Sequence, residues 1–136
     1  MNKILNYTSL GTDTSSLLLR LIVGGLMLTH GYPKLTGYAQ YVTQFPDLVG
    51  LGSQLSLILV IFAEFVCAIL VLIGFFTRLA IIPIFITMFV AFFIAHAQDP
   101  LATKELALVF LILSVVIFIL GSGKYSLDFQ FTKKRV

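Results

Sequence analysis

The feature that most constrains this chain is "LSLILVIFAEFVCAILVLIGF", running from Leu55 to Phe75 with Glu64 as its one charged side chain. A second apolar run, "LAIIPIFITMFVAFFIAHA" from Leu79 to Ala97, follows after a short turn. A helix needs roughly 20 apolar residues to cross the hydrocarbon core of a bilayer, and both runs are long enough. A soluble chain of this size could not hide so much apolar surface. Hydrophobic residues make up 59% of the sequence and charged residues 11%, against about 25% charge in an ordinary soluble domain. The sequence therefore points to an integral membrane protein.

Two shorter runs flank these, Leu17 to Tyr32 and Leu106 to Leu120. With neighbours such as Ser15, Ser16 and Glu105 joined to them, the expected spans cover about 15–33, 55–75, 79–97 and 105–121. The runs are continuously apolar, whereas a barrel strand would alternate over about ten residues. The expected fold is all-α, an integral membrane four-helix bundle forming a single domain over residues 1–136. In the long link from Pro33 to Gln54, Tyr38, Tyr41 and Phe45 recur at helical spacing. They suggest a short interfacial helix between the first and second spans, its rings in the headgroup layer.

Four spans would place both termini on one side. That side carries Lys3, Arg20, Arg78, Lys124, Lys133, Lys134 and Arg135, and the other carries Lys34 and Lys104. Basic residues favour the cytoplasmic face, so the expectation is a multi-pass protein with both termini cytoplasmic. Membrane lipids are the first partner implied, and the basic tail "FTKKRV" suits anionic headgroups. No basic amphipathic surface or aromatic pattern points to nucleic acid. The single cysteine, Cys67, excludes an internal disulfide and a Cys-x-x-Cys redox pair.

The polar residues inside the runs carry the functional expectations. Glu64 is costly at that depth and should face the bundle interior or a polar cavity. It is either a hydrogen-bonded tie between helices or a proton-bearing, ligand-contacting group. His30 and His96 each fall near the outer end of a span running outward, and Lys34 is one helical turn beyond His30. The expectation is a polar pocket in the outer half, with Glu64, His30 and His96 as catalytic candidates and Lys34 as an added binding residue. Imidazole donates hydrogen bonds and shuttles protons near neutral pH, and a neighbouring carboxylate orients it. That set suits a quinone headgroup or a proton relay. The histidines match no metal motif, since they lie on separate helices, and no metal is expected. Arg20, Arg78 and Asp128 are taken as structural: Arg20 snorkelling to headgroups, and Asp128 pairing with Arg78 or Arg20.

Four pieces in order resemble the DoxX family of small bacterial membrane proteins. They are "LLLRLIVGGLMLTHGYPKL" with Arg20, Gly24, His30, Gly31 and Lys34; "FAEFVCAILVLIGFFTRLA" with Glu64, Gly74, Thr77 and Arg78; "MFVAFFIAHA" with Ala91 and His96; and "GSGKYSLDF" with Gly121, Gly123 and Asp128. The resemblance covers about Leu17 to Asp128. It implies a four-span bundle in the bacterial inner membrane. Related proteins include a subunit of a thiosulfate:quinone oxidoreductase and members of complexes that handle thiol or oxidative stress. The function it suggests is a membrane subunit contacting quinone within an oxidoreductase complex, with a redox partner protein supplying other cofactors. An alternative is a non-enzymatic anchor or assembly subunit. A further one is a small transporter or proton pathway, for which a homo-oligomer would help. Whether the chain is an enzyme is left open by the sequence.

Overall fold

The computed structural model describes residues 7–134. Lys3 and Arg135, counted above in the charge bias, lie outside them. Among the described residues the helices are α1 (Thr12–Thr36), α2 (Tyr38–Gln44), α3 (Ser53–Ile73), α4 (Thr77–Ala95), α5 (Leu101–Leu120) and α6 (Leu127–Lys133).

The expectation of four spans is corrected. Three helices, α3, α4 and α5, are long and apolar enough to cross a membrane. The first expected span, within α1, is not among them. Its 25 residues are length enough, but Gly24, Gly25, Gly31, Thr29, His30, Tyr32, Pro33 and Lys34 dilute the apolar run, and Arg20 interrupts it. The protein is thus an all-α fold of six helices with three such helices, rather than a simple four-helix bundle, and the span count implied by the family resemblance falls with it.

Small residues let α1 approach α3 closely, as in helix pairs packed within lipid. A Cβ added at Gly24 would stand 2.8 Å from the Ala68 carbonyl oxygen, and one at Gly31 would stand 2.6 Å from that of Glu64. Rising numbers on α1 thus meet falling numbers on α3, and the two helices are antiparallel. Val23 and Met27 of α1 meet Cys67, Ala68 and Val71 of α3, Ile81 and Ile84 of α4, and Phe110 and Ile117 of α5 in one buried core. The outer faces remain apolar: Ile58, Phe62 and Ile69 on α3, Ile86 and Phe89 on α4, and Val109 and Ile112 on α5 are exposed. Such continuous apolar exposure suits lipid, not water.

The turn between α3 and α4 is built by backbone geometry. Gly74 adopts the left-handed conformation (φ 72°), and the Gly74 and Phe75 N–H groups donate to the Val71 and Leu70 carbonyls. This closes the helix and satisfies carbonyls that would otherwise lack a partner. Phe76 follows at φ 47°, an uncommon conformation for a residue with a Cβ. Two left-handed residues, Gly74 and Phe76 on either side of Phe75, turn the chain directly into α4.

Candidate functional site

Polar side chains gather at both ends of the bundle. At the first end, where α1 begins and α3 ends, Arg20 is 1% exposed and does not snorkel. Its guanidinium donates to the carbonyls of Leu72 (3.0 Å), Val71 (3.4 Å) and Tyr125 (2.6 Å). It therefore joins the C-terminus of α3, where a cation is favoured, to the segment after α5. Ser16 donates to the Gly121 carbonyl at 2.6 Å, and the Lys124 N–H donates to Asp13 at 2.9 Å.

Asp128 does something other than pair with a cation. Its carboxylate accepts from the N–H groups of Phe76 (2.8 Å) and Thr77 (3.1 Å) and from the Thr77 hydroxyl (3.0 Å). It caps the start of α4, where unsatisfied N–H groups and the helix dipole favour a negative charge. Arg78 donates instead to the Phe118 carbonyl at 3.1 Å. Among the described residues no ion pair joins Asp128 to Arg78 or Arg20.

At the opposite end, α1 continues through Pro33, so His30 and Lys34 occupy successive turns of one helix. Lys34 forms an ion pair with Glu64. Glu64 is 4% exposed and lies in a stretch of α3, Phe62–Cys67, wound as a π-helix. A second π-helical turn, Ala91–Ala95, precedes His96 in α4. Wide turns of this kind re-aim side chains inside long helices and recur at functional sites. His96 is held through Nδ1 by Asp99 at 2.6 Å.

Two cavities meet at these residues. One of about 190 Å³ is lined by His30, Glu64, His96, Lys104 and the ring of Phe110, which His30 meets edge-on at 6.2 Å between centroids. The other, about 450 Å³, is lined by Lys34, Ser56, Glu64 and His96 among apolar walls from Phe45, Leu48, Leu59 and Met88. Glu64 and His96 border both cavities, whereas His30 faces the small one and Lys34 the large one.

Ser56 had no place in the sequence expectations. It is buried, and its hydroxyl has no hydrogen-bond partner among the described residues, which is unusual for a buried polar group. A lone serine near a helix start gives no signal in sequence; only the cavity makes it notable. Among the described residues, no cluster of three or more His, Cys, Asp or Glu side chains could hold a metal.

The helices and their apolar outer faces define a multi-pass, all-α membrane protein with a polar cluster within one half of its bundle. The chain belongs to the DoxX family, whose model matches residues 15–97. That match takes in Arg20, His30, Lys34, Ser56, Glu64 and His96 and stops short of the "GSGKYSLDF" segment. Family and helices together make it a protein of the bacterial inner membrane. No curated protein and no solved structure matches the chain.

Proposed function

We propose that the protein is a membrane subunit that binds a quinone headgroup in the larger cavity and works within an oxidoreductase assembly. The observation that carries this is the unpartnered Ser56 hydroxyl in a mostly apolar wall that also holds Lys34, Glu64 and His96. A quinone joins an apolar body to two carbonyl acceptors. The donors that could meet them are the Ser56 hydroxyl and the Lys34 ammonium. When bound, the quinone supplies the electron-carrying chemistry. The chain's own residues bind and orient it. Glu64 fixes the Lys34 ammonium by charge, and Asp99 fixes the His96 ring through Nδ1, leaving Nε2 to take up or release a proton. The bundle end that holds Arg20, Arg78, Lys124, Lys133 and Lys134 is proposed to face the cytoplasm, because basic residues accumulate there.

The test is the quinone content of protein purified from native membrane, extracted and counted per folded molecule. Wild type should retain quinone above the level of an unrelated membrane protein. Ser56→Ala removes only a hydroxyl with no internal partner, so it should fold normally and retain several-fold less. Lys34→Met should also retain less. Equal retention by wild type, Ser56→Ala and Lys34→Met would remove quinone from this cavity.

One observation favours a second function, that of an anchoring or assembly subunit. Glu64 is tied through its carboxylate to Lys34 and through its backbone to Gly31, as a helix-locking residue would be. Under that function, Lys34→Met lowers the amount of any partner in step with the folded protein and leaves the quinone per folded molecule unchanged, and Ser56→Ala is silent.

A further inference from the structure

We infer that the seam between α4 and α5 is a binding site for one anionic phospholipid, whose phosphate is held by Arg78 and Lys124. Two adjoining features support this. At the first end of the bundle, an open cavity of about 710 Å³ is lined by both cations. Along the same two helices runs an apolar groove of about 260 Å³, walled by Ile82, Phe85, Val115 and Phe118. Arg78 and Phe118 bring the two together, since Arg78 Nε donates to the Phe118 carbonyl. A charged head site linked through the Arg78–Phe118 bond to an apolar trough has the chemistry of a lipid, not of a free anion.

The cations are available for such a ligand. Arg78 uses one donor on Phe118, leaving the two terminal nitrogens of a fork suited to phosphate. The left-handed Gly121 (φ 75°) lies close by: a Cβ there would stand 3.3 Å from Arg78 Nη2, so the bare backbone leaves the guanidinium its room. Lys124 Nζ sits over the Tyr125 ring at 5.1 Å. Two acids, Asp13 and Asp128, also border the cavity, but each is engaged by backbone donors: Asp13 by the Lys124 N–H, and Asp128 by the start of α4. Among the described residues neither forms an ion pair with Arg78 or Lys124.

The full chain is reconstituted into vesicles of phosphatidylcholine with phosphatidylglycerol, extracted gently, and its retained lipids are counted by native mass spectrometry. Wild type should retain phosphatidylglycerol in preference to phosphatidylcholine. Arg78→Gln should lower that preference roughly fivefold, the loss expected for one basic contact with an anionic membrane lipid, and Arg78→Lys should keep most of it. If Arg78→Gln fails to fold, Lys124→Gln carries the same test, because among the described residues its ammonium makes no hydrogen bond. Val115→Trp fills the groove without touching charge and should reduce retention of phosphatidylglycerol. An unchanged preference in the folded charge variants overturns the proposal. So does displacement by inorganic phosphate with no effect of Val115→Trp, which would mark a bare phosphate site.

Discussion

Gly31 lies against the backbone of Glu64 so closely that a Cβ added to it would stand 2.6 Å from the Glu64 carbonyl carbon and oxygen and 2.8 Å from the Phe65 nitrogen. That contact sets the register of α1 on α3. With Gly31 seated there, Lys34 lies within reach of the Glu64 carboxylate and His30 is left beside Phe110. The glycine and the ion pair are thus one arrangement, a close backbone approach that holds two opposite charges together where lipid would otherwise penalise each.

Gly31→Ala should therefore destabilise the protein by about 1–3 kcal/mol, the usual range for forcing atoms into a packed contact. The colliding atoms are backbone, so α1 itself must shift. Gly25→Ala is the control, since a Cβ there meets nothing within 4 Å. Thermal unfolding in detergent should separate the two variants clearly. Equal midpoints would mean that α1 packs on α3 more loosely than the Gly31–Glu64 contact requires.

Lys34 and Glu64 should behave as a coupled pair. Lys34→Met leaves the buried Glu64 carboxylate without its cation. Breaking a buried pair from one side costs roughly 3–5 kcal/mol, and the lower end is expected because Lys34 is 20% exposed. Glu64→Gln, which strands the ammonium, should lose less. Replacing both at once, as Lys34→Met with Glu64→Gln, should lose less than the sum of the singles. Additive losses in denaturation would show that the two side chains do not interact in solution.

Asp128→Ala should cost about 1–2 kcal/mol, as for the loss of a strong helix cap, because two N–H groups and the Thr77 hydroxyl lose their acceptor. Arg78→Ala removes a different bond, to Phe118. With no shared partner, the two changes should add to within about 0.5 kcal/mol. A double mutant markedly milder than the sum would restore a direct Arg78–Asp128 interaction.

How much was legible in sequence follows from the range of each interaction. The apolar runs of α3, α4 and α5 are local facts, and their helices begin and end within a few residues of the expected bounds. The first run misled because length was counted before dilution by glycine and polar residues. His30, Glu64 and His96 could be placed in one half of the bundle from helix direction alone. The Lys34–Glu64 pair could not, because it depends on the relative depth of α1 and α3, which Gly24 and Gly31 fix through contacts 30 or more residues away. The cap by Asp128 was hidden for the same reason: its partners lie 51 and 52 residues earlier. An aspartate near two arginines suggests an ion pair, but backbone N–H groups at a helix start compete for it.

Arg20 was the least legible residue, and it gives the sharpest test. A guanidinium near a helix end is expected to reach for water or headgroups. Here the chain after Gly121 folds back over it, and the side chain is closed in, its Nε without a partner among the described residues. Its fork reaches carbonyls of two separate segments, Leu72 at the end of α3 and Tyr125 before α6. A lysine would keep the charge but not the planar fork. Arg20→Lys should therefore lose most of what Arg20→Met loses, about 2 kcal/mol or more, given that hydrogen bonds from a charged donor contribute roughly 1.5–3 kcal/mol each. A structural readout should move with it. Without the bond to Tyr125, the segment carrying Lys124 and Lys133 keeps only its ties through Asp13 and Asp128, and trypsin should cut there sooner than in wild type. If Arg20→Lys keeps the wild-type midpoint and cleavage rate, charge alone holds this end of the bundle and the bridging geometry contributes nothing.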